Sequence, residues 1–487
     1  MAWAEVHTPS ILGANMVLQR ERPAPVWGWA SPGERITVEF AGQRKTTAAA
    51  GDGKWRITLD PLPASAEPRA MTIRGDRSDR LLRYDNILVG EVWVLAGQSN
   101  MGWPLGKSLH GETARMRADY PWLRIFRQSP NQGAADTPAP DVKGGGWSTC
   151  SPETAAAISG VGFFFAESLH PHLQVPIALV NTAAGGTWIE SWIDSPTLQP
   201  LPGSKPYEEM IAQARRDVAA GTKKLEESML GPFGFRRPGG LYNGKVAPLQ
   251  PLAIRGVLWY QGEGNASEKL APHYHELLTA LIAGWRRDWG QGDFPFLIVQ
   301  LPGFDEKRPG ANWPLLRDMQ LRVAREVSQT GLVVTIDQGE RDNIHPAAKQ
   351  PVGERAARLA RALVYGEEIE GTGPQLEGQE VQGATVQLRF RHVGSGLKSG
   401  GGELTGFEIC GQDRKFVPAH ARITGLDTVS VAAPDVPLPV AVRYAWKGFP
   451  AGNLLGGDDL PASPGRTDGF GLEAAVPAAS PTEKSTP

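Results

Sequence analysis

Ser99 and a segment that ends in His345 supply the residue types that acyl transfer needs. Residues 91–96 are β-formers and predict a strand, after which Gly97 allows a sharp turn into the serine. Asp342 stands three residues before His345, so its carboxylate could reach imidazole Nδ1 and leave Nε2 facing the serine. One chain therefore offers a nucleophile, a base and a group that orients the base.

Both segments also have plain structural interpretations. A Gly-x-Ser sequence is short, so Ser99 could lie in a polar turn after a core strand. Asp342 could cap a helix that Pro346 opens, which would leave His345 at the surface. The catalytic interpretation is favoured because further polar features follow other predicted strands in the same way.

Three groups are candidate donors to the oxyanion that develops in acyl transfer. The backbone N–H of Ser99 lies in the turn itself. Gly185 and Gly186 follow a second predicted strand, and glycine N–H groups can approach a ligand closely because no side chain intervenes. Gln261 follows a third predicted strand and offers a side-chain amide. A plain turn and a loop hydrogen bond are the structural alternatives for the glycine pair and for the glutamine.

Glu263 and Asp337 are two further carboxylates near the predicted site. Either of them could orient His345 in place of Asp342. The three-residue spacing favours Asp342 for this role, because the carboxylate and the imidazole then share one loop. Glu263 is better suited to holding the loop that carries Gln261.

Apolar strands alternate with helices between about residues 86 and 368, and this pattern predicts an α/β fold. Such strands indicate a parallel sheet buried by helices on both faces. The carboxyl ends of parallel strands share one edge, so residues distant in sequence can meet there. The predicted strands are 91–96, 177–182, 254–260, 296–301 and 332–336. The predicted helices are 163–169, 207–229, 274–288, 315–328 and 347–363, and a long loop rich in glycine and proline is expected between Ser99 and Ser159.

The flanking regions have β texture, with apolar and polar residues alternating. We expect an N-terminal β-domain over residues 1–85, a catalytic α/β domain over 86–368 and a C-terminal β-domain over 369–471. Both flanking domains are expected to resemble β-sandwiches. The stretch 472–487 is rich in alanine, proline, serine and threonine, which predicts a disordered tail.

Composition excludes several classes of function. With 50 basic and 52 acidic residues, the chain offers no charge signal for nucleic acid or an anionic membrane, and no apolar run has the length of a membrane span. The 9 histidines show no metal-ligand spacing, and Cys150 and Cys410 are expected to be two buried thiols. The opening residues predict no secretory signal; the location would be periplasmic or secreted if one had been removed, and otherwise cytoplasmic. The oligomeric state stays open.

Four motifs together resemble the sialate O-acetylesterase-like family of SGNH-type (GDSL-like) carbohydrate esterases. The resemblance covers nearly the whole chain, and it implies an SGNH-like fold and a serine esterase that removes O-acetyl groups from sugars without a cofactor. By this resemblance Ser99 is the nucleophile, His345 the base and Asp342 its partner, with Gly186 or its neighbour and Gln261 completing the oxyanion hole. The motifs are 93–101 (Trp-Val-Leu-Ala-Gly-Gln-Ser-Asn-Met), 181–187 (Asn-Thr-Ala-Ala-Gly-Gly-Thr), 259–263 (Trp-Tyr-Gln-Gly-Glu) and 342–346 (Asp-Asn-Ile-His-Pro).

Substrate contacts are expected from side chains on the same loops. Aromatic faces suit the apolar faces of sugar rings, although a tryptophan at a strand end could instead belong to the core. Residues 241–244 (Leu-Tyr-Asn-Gly) also resemble a family motif and introduce an asparagine, for which a plain turn is an equal alternative. The candidate contacts are Gly185, Trp188, Asn243, Trp259 and Glu263.

Two positions depart from the family pattern. Gly102 stands where an acidic residue often follows the Asn-Met pair, which puts one pocket contact in doubt, and Gly465 replaces an aromatic residue in the C-terminal region. Two other functions stay open beside the sialate esterase. One is an esterase for acetylated xylan or xyloglucan; the other is a carbohydrate-binding protein with an inactive hydrolase domain.

Overall fold

The computed structural model describes residues 5–77, 80–129, 133–225, 230 and 237–470, so the predicted tail 472–487 lies outside the described residues. The N-terminal strands are β1 (Val17–Gln19), β2 (Ala24–Trp29), β3 (Arg35–Phe40), β4 (Gln43–Ala48), β5 (Lys54–Leu59) and β6 (Ser65–Gly75). The strands that follow are β7 (Leu81–Gly97), β8 (Tyr120–Gln128), β9 (Gly145–Cys150), β10 (Ile177–Asn181), β11 (Gly256–Tyr260), β12 (Phe296–Val299) and β13 (Thr330–Val333).

The α-helices of the described chain lie within the central region, where short 3-10 segments and a π-helical turn (Tyr242–Val246) also occur. The α-helices are α1 (Ser99–Gly102), α2 (Gly111–Met116), α3 (Pro152–Ala155), α4 (Gly160–Leu173), α5 (Ser195–Leu198), α6 (Lys205–Ala219), α7 (Tyr274–Trp289), α8 (Trp313–Glu326) and α9 (Gln350–Leu363). In the part of the chain that the structure describes, no helix combines the length and the apolar character needed to cross a bilayer.

The fold is of the α/β class, and a mostly parallel sheet with the strand order β13-β12-β11-β7-β10-β8-β9 forms the centre of the molecule. Every neighbouring pair from β13 to β8 is parallel, and only the β8–β9 pair at one edge is antiparallel. Since β7 lies between β10 and β11, the chain winds outwards from β7 in both directions. The end of β7 is therefore the crevice position where α/β sheets bind ligands.

Helices cover both faces of this sheet, and the register of the strands shows it. Trp93 on β7 contacts Phe165 of α4 at a ring distance of 5.2 Å. Trp259 on β11 pairs with Ala96 and so points to the opposite face, where it contacts Trp285 of α7 at 6.2 Å. The strands are accordingly buried on both sides, which explains their continuous apolar sequences.

The N-terminal region is continuous with the central sheet. Strand β7 pairs with β1 and β6 through its first part and with β10 and β11 through its second part. The boundary predicted between residues 85 and 86 falls inside this strand, and one hydrophobic core contains residues of both regions. Strands β1, β3, β4 and β6 are therefore an extension of the central sheet, while β2 and β5 pair with each other, and the region shares the core of the sheet.

The region predicted as a long loop between Ser99 and Ser159 contains β8 and β9 as well as three short helices. The other central elements lie close to their predicted positions. The predicted helix over 207–229 corresponds to α6, which ends at Ala219, and residues 226–229 lie outside the described chain. The last helix begins at Gln350, later than predicted, because the chain first forms a loop after the histidine.

The C-terminal region forms antiparallel sheets around a core of its own. One sheet has the order β14-β15-β20-β19 and another β18-β17-β21-β23, while β16 pairs with β22. Cys150 and Cys410 are buried and free, in agreement with the prediction of two buried thiols. The strands are β14 (Gln375–Gln382), β15 (Thr385–Arg391), β16 (Lys398–Ser399), β17 (Phe407–Cys410), β18 (Val417–Pro418), β19 (His420–Ile423), β20 (Thr428–Ala432), β21 (Ala441–Tyr444), β22 (Leu454–Leu455) and β23 (Gly465–Arg466).

A buried arginine joins the C-terminal region to the sheet. Arg317 of α8 is fully buried and donates to the backbone oxygens of Leu301 (2.9 Å) and Pro302 (2.6 Å) after β12. It also donates to the backbone oxygens of Lys447 (2.8 Å) and Gly448 (2.7 Å) after β21. One guanidinium therefore fixes the position of both segments, because each of them supplies acceptors to it.

Candidate active site

Ser99 is held by a sharp turn at the end of β7. Gly97 has a φ of 125°, and a Cβ there would lie 2.1 Å from the backbone oxygen of Tyr260, so only glycine fits. The N–H of Gln98 donates to that same oxygen (2.9 Å), and the oxygen of Gly97 accepts from Ala184 (2.9 Å). Backbone hydrogen bonds to both neighbouring strand ends thus hold the turn, and Ser99 begins α1 directly after it.

Ser99 and His345 meet at this edge of the sheet, as their positions in the sequence predict. The Nε2 atom of His345 lies 2.7 Å from Ser99 Oγ. The ring of Trp103 stacks on the imidazole at a centroid distance of 5.1 Å and an interplanar angle of 17°. Partial burial lowers the pKa of His345, and the cation of Lys349 lowers it further. A neutral imidazole in this position can accept the proton of the serine hydroxyl.

The loop that carries His345 is held by side chains. The N–H of His345 donates to Asn343 Oδ1 (3.0 Å), and Asn343 Nδ2 donates back to the oxygen of His345 (3.0 Å). Asn343 Nδ2 also donates to Glu340 Oε2 (2.9 Å), whose other oxygen accepts from the N–H of Ala347 (2.8 Å). These bonds fold the loop on itself and present the imidazole to the serine.

None of the three candidate carboxylates is hydrogen-bonded to His345 within the described chain. Asp342 is exposed and does not cap the following helix, which begins at Gln350. Asp337 is paired with Arg355 through two contacts of 2.6 Å. Glu263 is buried and accepts a hydrogen bond from Asn100 Nδ2 (2.6 Å). The role of Asp342 as the partner of His345 therefore stays a prediction.

The glycine pair lies beside the serine. A Cβ on Gly185 would lie only 3.5 Å from Ser99 Cβ, and Gly186 is exposed with a φ of 65°. As the first residue of α1, Ser99 has an N–H without an acceptor inside the helix. The backbone of the glycine loop thus lies next to the side chain of Ser99.

Gln261 is fully buried, and its side-chain amide is committed to neighbouring groups. Its Nε2 donates to the oxygen of Thr187 (3.1 Å) and to Asn265 Oδ1 (2.9 Å), and it lies 3.3 Å from Gln98 Oε1. Its Oε1 accepts from the hydroxyl of Tyr274 (2.8 Å). In this arrangement the amide joins the loops after β10 and β11, and an oxyanion would have to compete with these acceptors for it.

Gln98 is a side chain that the sequence analysis did not single out. Its Oε1 accepts from Gln261 and faces the N–H of Gly264 (3.4 Å), and since a backbone N–H can only donate, the amide orientation is fixed. Its Nε2 makes no hydrogen bond within the described chain. The position directly before the serine was the available signal for this residue.

Asn100, Glu263 and Lys349 form a buried triplet behind the serine and the histidine. Asn100 Nδ2 donates to Glu263 Oε1 (2.6 Å) and to the backbone oxygen of Ile344 (2.9 Å), and Lys349 Nζ donates to Asn100 Oδ1 (2.6 Å). Burial raises the pKa of Glu263 to about 7 and lowers the pKa of Lys349 to about 8. The only sequence signal for Lys349 was its position four residues after His345.

Trp259 and Asn243, two of the predicted substrate contacts, are used in internal packing away from the exposed surface of the site. Trp259 is fully buried, and its Nε1 donates to Tyr274 Oη (3.2 Å), so the alternative of a core residue applies. Asn243 Nδ2 donates to the backbone oxygens of Ala135 (3.2 Å) and Asp136 (3.0 Å), which gives it a role in holding that segment. These two residues are placed by internal packing and hydrogen bonding.

The partly exposed aromatic rings at this edge are Trp103 and Trp188. Trp188 directly follows the glycine loop and packs on Tyr207 at a ring distance of 5.7 Å. Gly102, where the family pattern often has an acidic residue, is exposed beside Trp103. The rim therefore offers aromatic surface close to the hydroxyl of Ser99.

Comparison with known proteins gives a consistent result. The family model for "Carbohydrate esterase, sialic acid-specific acetylesterase" matches residues 89–230 and 235–364. Sialate O-acetylesterases of Homo sapiens and Mus musculus are 28% and 29% identical, each over 91% of this chain and 87% and 89% of their own length. The crystal structure of a carbohydrate acetylesterase from Xanthomonas citri has a TM-score of 0.85 and 36% identity, covering 95% of this chain and 100% of that one.

Proposed function

Because this chain belongs to the sialic acid-specific acetylesterase family of carbohydrate esterases, we propose that it releases acetate from carbohydrate O-acetyl esters through an acetyl-enzyme on Ser99. The family model and the similar proteins identify it as a carbohydrate O-acetylesterase. The observation that carries the proposed mechanism is the distance of 2.7 Å between Ser99 Oγ and His345 Nε2. A hydroxyl and a base at this distance form the activated nucleophile of serine esterases.

In the first half of the proposed reaction, Ser99 Oγ attacks the acetyl carbonyl carbon while His345 Nε2 accepts the hydroxyl proton. The tetrahedral intermediate then collapses, and the sugar oxygen leaves with the proton that the imidazole returns. In the second half, water attacks the acetyl-enzyme and gives its proton to His345. The imidazole returns this proton to Ser99 Oγ, and acetate is released.

For the oxyanion we propose the N–H groups of Ser99 and Gly186 as donors, together with a side-chain amide. Gln261 stays the candidate from the sequence, but the acceptors already bonded to its Nε2 favour a supporting role. Gln98 is the alternative, because Gln261 and Gly264 hold its oxygen and leave its Nε2 as a donor. Both amides can act together, since Gln261 orients the amide of Gln98.

We propose that Asp342 partners His345 during turnover. Catalytic hydrogen bonds are often long in the free enzyme and tighten when substrate binds. Asp342 is exposed, makes no side-chain hydrogen bond to the residues that the structure describes, and lies on the same loop as His345. Asp337 is less suited, because its carboxylate is already paired with Arg355.

For the substrate we propose an O-acetylated sialic acid, and Gly185, Trp188 and Trp103 as the surface that receives the sugar. The names of the mammalian relatives favour this choice. An acetylated plant glycan is the second candidate, because the Xanthomonas citri relative is described by the wider term carbohydrate acetylesterase. Aromatic rim residues suit sugar rings of either class.

The test is acetate release from a panel of acetylated glycans, including O-acetylated sialic acids, acetylated xylan and acetylated xyloglucan. The Ser99→Ala variant on the same panel is the control. Release from sialic acids that Ser99→Ala abolishes is the expected result. Release from the plant glycans alone would show that the substrate is an acetylated plant glycan and not a sialic acid. Binding without release would favour an inactive carbohydrate-binding protein.

A further inference from the structure

Lys349 is a buried cation that the proposed reaction does not yet use. It is fully buried, and the hydrogen bond of 2.6 Å from its Nζ goes to a neutral acceptor, Asn100 Oδ1. A lysine can only donate, so this contact fixes the amide of Asn100 and turns its Nδ2 towards Glu263 and the oxygen of Ile344. A charge buried in this way is costly to the fold. Its position therefore needs an explanation beyond packing.

The lysine reaches both members of the reacting pair through their immediate neighbours. Asn100 directly follows Ser99, and Ile344, whose oxygen Asn100 binds, directly precedes His345. The Nζ atom also lies 5.9 Å from the ring centroid of Trp103, the ring that stacks on the imidazole of His345. Lys349 thus lies behind the catalytic pair, on the side that the protein interior occupies.

We propose that Lys349 is a positioning residue that keeps His345 in its neutral, proton-accepting form when the surroundings become acidic. The inference rests on the proposed function, because it requires His345 to act as the base. It goes beyond that function by assigning the acid limit of activity to a residue outside the serine, histidine and carboxylate set.

The charged groups around His345 make this effect specific to acidic pH. Glu340 and Asp342 of its own loop are exposed, so solvent weakens their influence on the imidazole. Glu263 and Lys349 are buried, and charges there are screened much less. Burial raises the pKa of Glu263 to about 7, so this carboxyl gains a proton as the pH falls through that range and then offsets the lysine less.

The charge of the lysine is present in the same range. Burial lowers the pKa of Lys349 to about 8, and the group is therefore cationic throughout the acidic range. Partial burial lowers the pKa of His345, and the cation lowers it further because it disfavours a second positive charge on the nearby imidazole. Removing the cation should raise that pKa and bring the loss of activity to a higher pH.

The experiment is the pH profile of kcat/KM between pH 4 and 9, with acetate release from an acetylated substrate as the readout. Lys349→Met removes the charge and keeps the length of the side chain. The acid limb is the part of the profile where kcat/KM falls as the pH decreases and His345 gains a proton. We expect its midpoint to move to a higher pH by about one unit, so that at acidic pH the variant has up to about tenfold lower kcat/KM than the parent. Lys349→Arg, which retains the charge, should keep the acid limb near its original position.

Lys245→Met is the matched control. Lys245 is also buried, and its Nζ bonds to the oxygen of Ser129 (2.7 Å) rather than to the site. The two methionine variants should lose comparable stability, but Lys245→Met should leave the acid limb in place. A fall in stability alone therefore does not reproduce the expected shift.

An acid limb that stays in place in folded Lys349→Met would overturn the proposal. If that variant does not fold, Lys349→Gln takes its place, because it removes the charge and keeps a side-chain donor for Asn100 Oδ1; an acid limb that stays in place there would equally overturn the proposal. A shift of the acid limb in Glu263→Gln would assign the effect to the carboxyl instead. Ser99→Ala and His345→Gln test the proposed function separately from the role of Lys349, because activity in either variant would reject the serine–histidine mechanism itself.

Discussion

The two halves of the candidate site are built in different ways. The turn at residues 97–101 is held by backbone hydrogen bonds to the ends of β10 and β11. It begins at Gly97, a position that has no room for any larger residue. The loop at residues 336–349 is held mainly by side chains, above all by Asn343 and Glu340, and much of it is exposed. The nucleophile takes its position from the sheet, and the base takes its position from a few polar contacts.

This difference predicts two kinds of mutational effect. A change in the turn that alters the backbone should lower the stability of the whole fold, because the turn is bonded to the ends of the neighbouring strands. A change in the histidine loop should reduce turnover while the fold persists, because solvent can replace the lost contacts of an exposed loop. Substitutions in the two halves therefore test whether precision at this site comes from the sheet or from side chains.

Ser99→Ala should have the largest effect on activity. It removes the nucleophile and leaves every backbone bond of the turn in place, so kcat should fall by at least about 10³-fold with unchanged thermal unfolding. Acetate release and circular dichroism on the same preparation measure both quantities. A folded variant that retains more than a few per cent of the activity would exclude Ser99 as the nucleophile.

Gly97→Ala should unfold the turn. The added Cβ would lie 2.1 Å from the oxygen of Tyr260 at a φ of 125°, and we expect the free energy of unfolding to fall by roughly 3 kcal/mol. Gly102→Ala is the matched control, since its Cβ would meet Ala183 Cβ at 3.4 Å and it has no positive φ. Urea unfolding compares the two. Equal stability of both variants would contradict the view that the backbone of the turn is fixed by the sheet.

Asp342→Asn should lower kcat by roughly a hundredfold or more, because an amide cannot stabilise the imidazolium that forms on His345. The free energy of unfolding should not change, since Asp342 is exposed. Asp337→Asn is the control on the same loop, and it should leave kcat within about twofold of the parent. A severe loss in the Asp337 variant, with a silent Asp342 variant, would assign the orienting role to Asp337.

Asn343→Ala should have the smallest effect of the series. Losing the bonds to His345 and Glu340 should reduce kcat about fivefold, which corresponds to about 1 kcal/mol of positioning. Asn453→Ala is the control, because Asn453 Nδ2 bonds similarly to a loop of the C-terminal region at Gly401 and Glu403. Both variants should lose similar stability, and only Asn343→Ala should lose turnover. Equal kcat in the two would show that the histidine loop does not depend on these contacts.

Much of the central sheet could be predicted from the sequence, because strands such as β10 and β11 are continuous apolar runs. The meeting of Ser99 and His345 followed from their places at strand ends. Strands β8 and β9 were missed, since Arg124 interrupts the apolar pattern of β8 and β9 is short and polar. The arginine is accommodated by a bond to Asn86 Oδ1 (3.1 Å), which no local pattern could indicate.

The contacts inside the site were the least predictable part. Gln261 stood at the expected strand end, but its hydrogen bonds to groups of three loops depend on how those loops fold together. Trp259 had the residue type of a sugar contact, yet its place in β11 points it to the α7 face. The sequence shows which residues reach an edge, and the tertiary structure decides which of their atoms remain free.

Arg317 makes the C-terminal region inseparable from the catalytic sheet. Two of its four carbonyl acceptors belong to Lys447 and Gly448, and the adjoining Phe449 lies under the guanidinium of Arg341, one residue before Asp342. A gene shortened before residue 370 would encode a chain in which this buried charge loses half of its acceptors. Because these acceptors are backbone oxygens, a homologous C-terminal region could supply them in a chimera, whereas a chain that lacks the region should be destabilised.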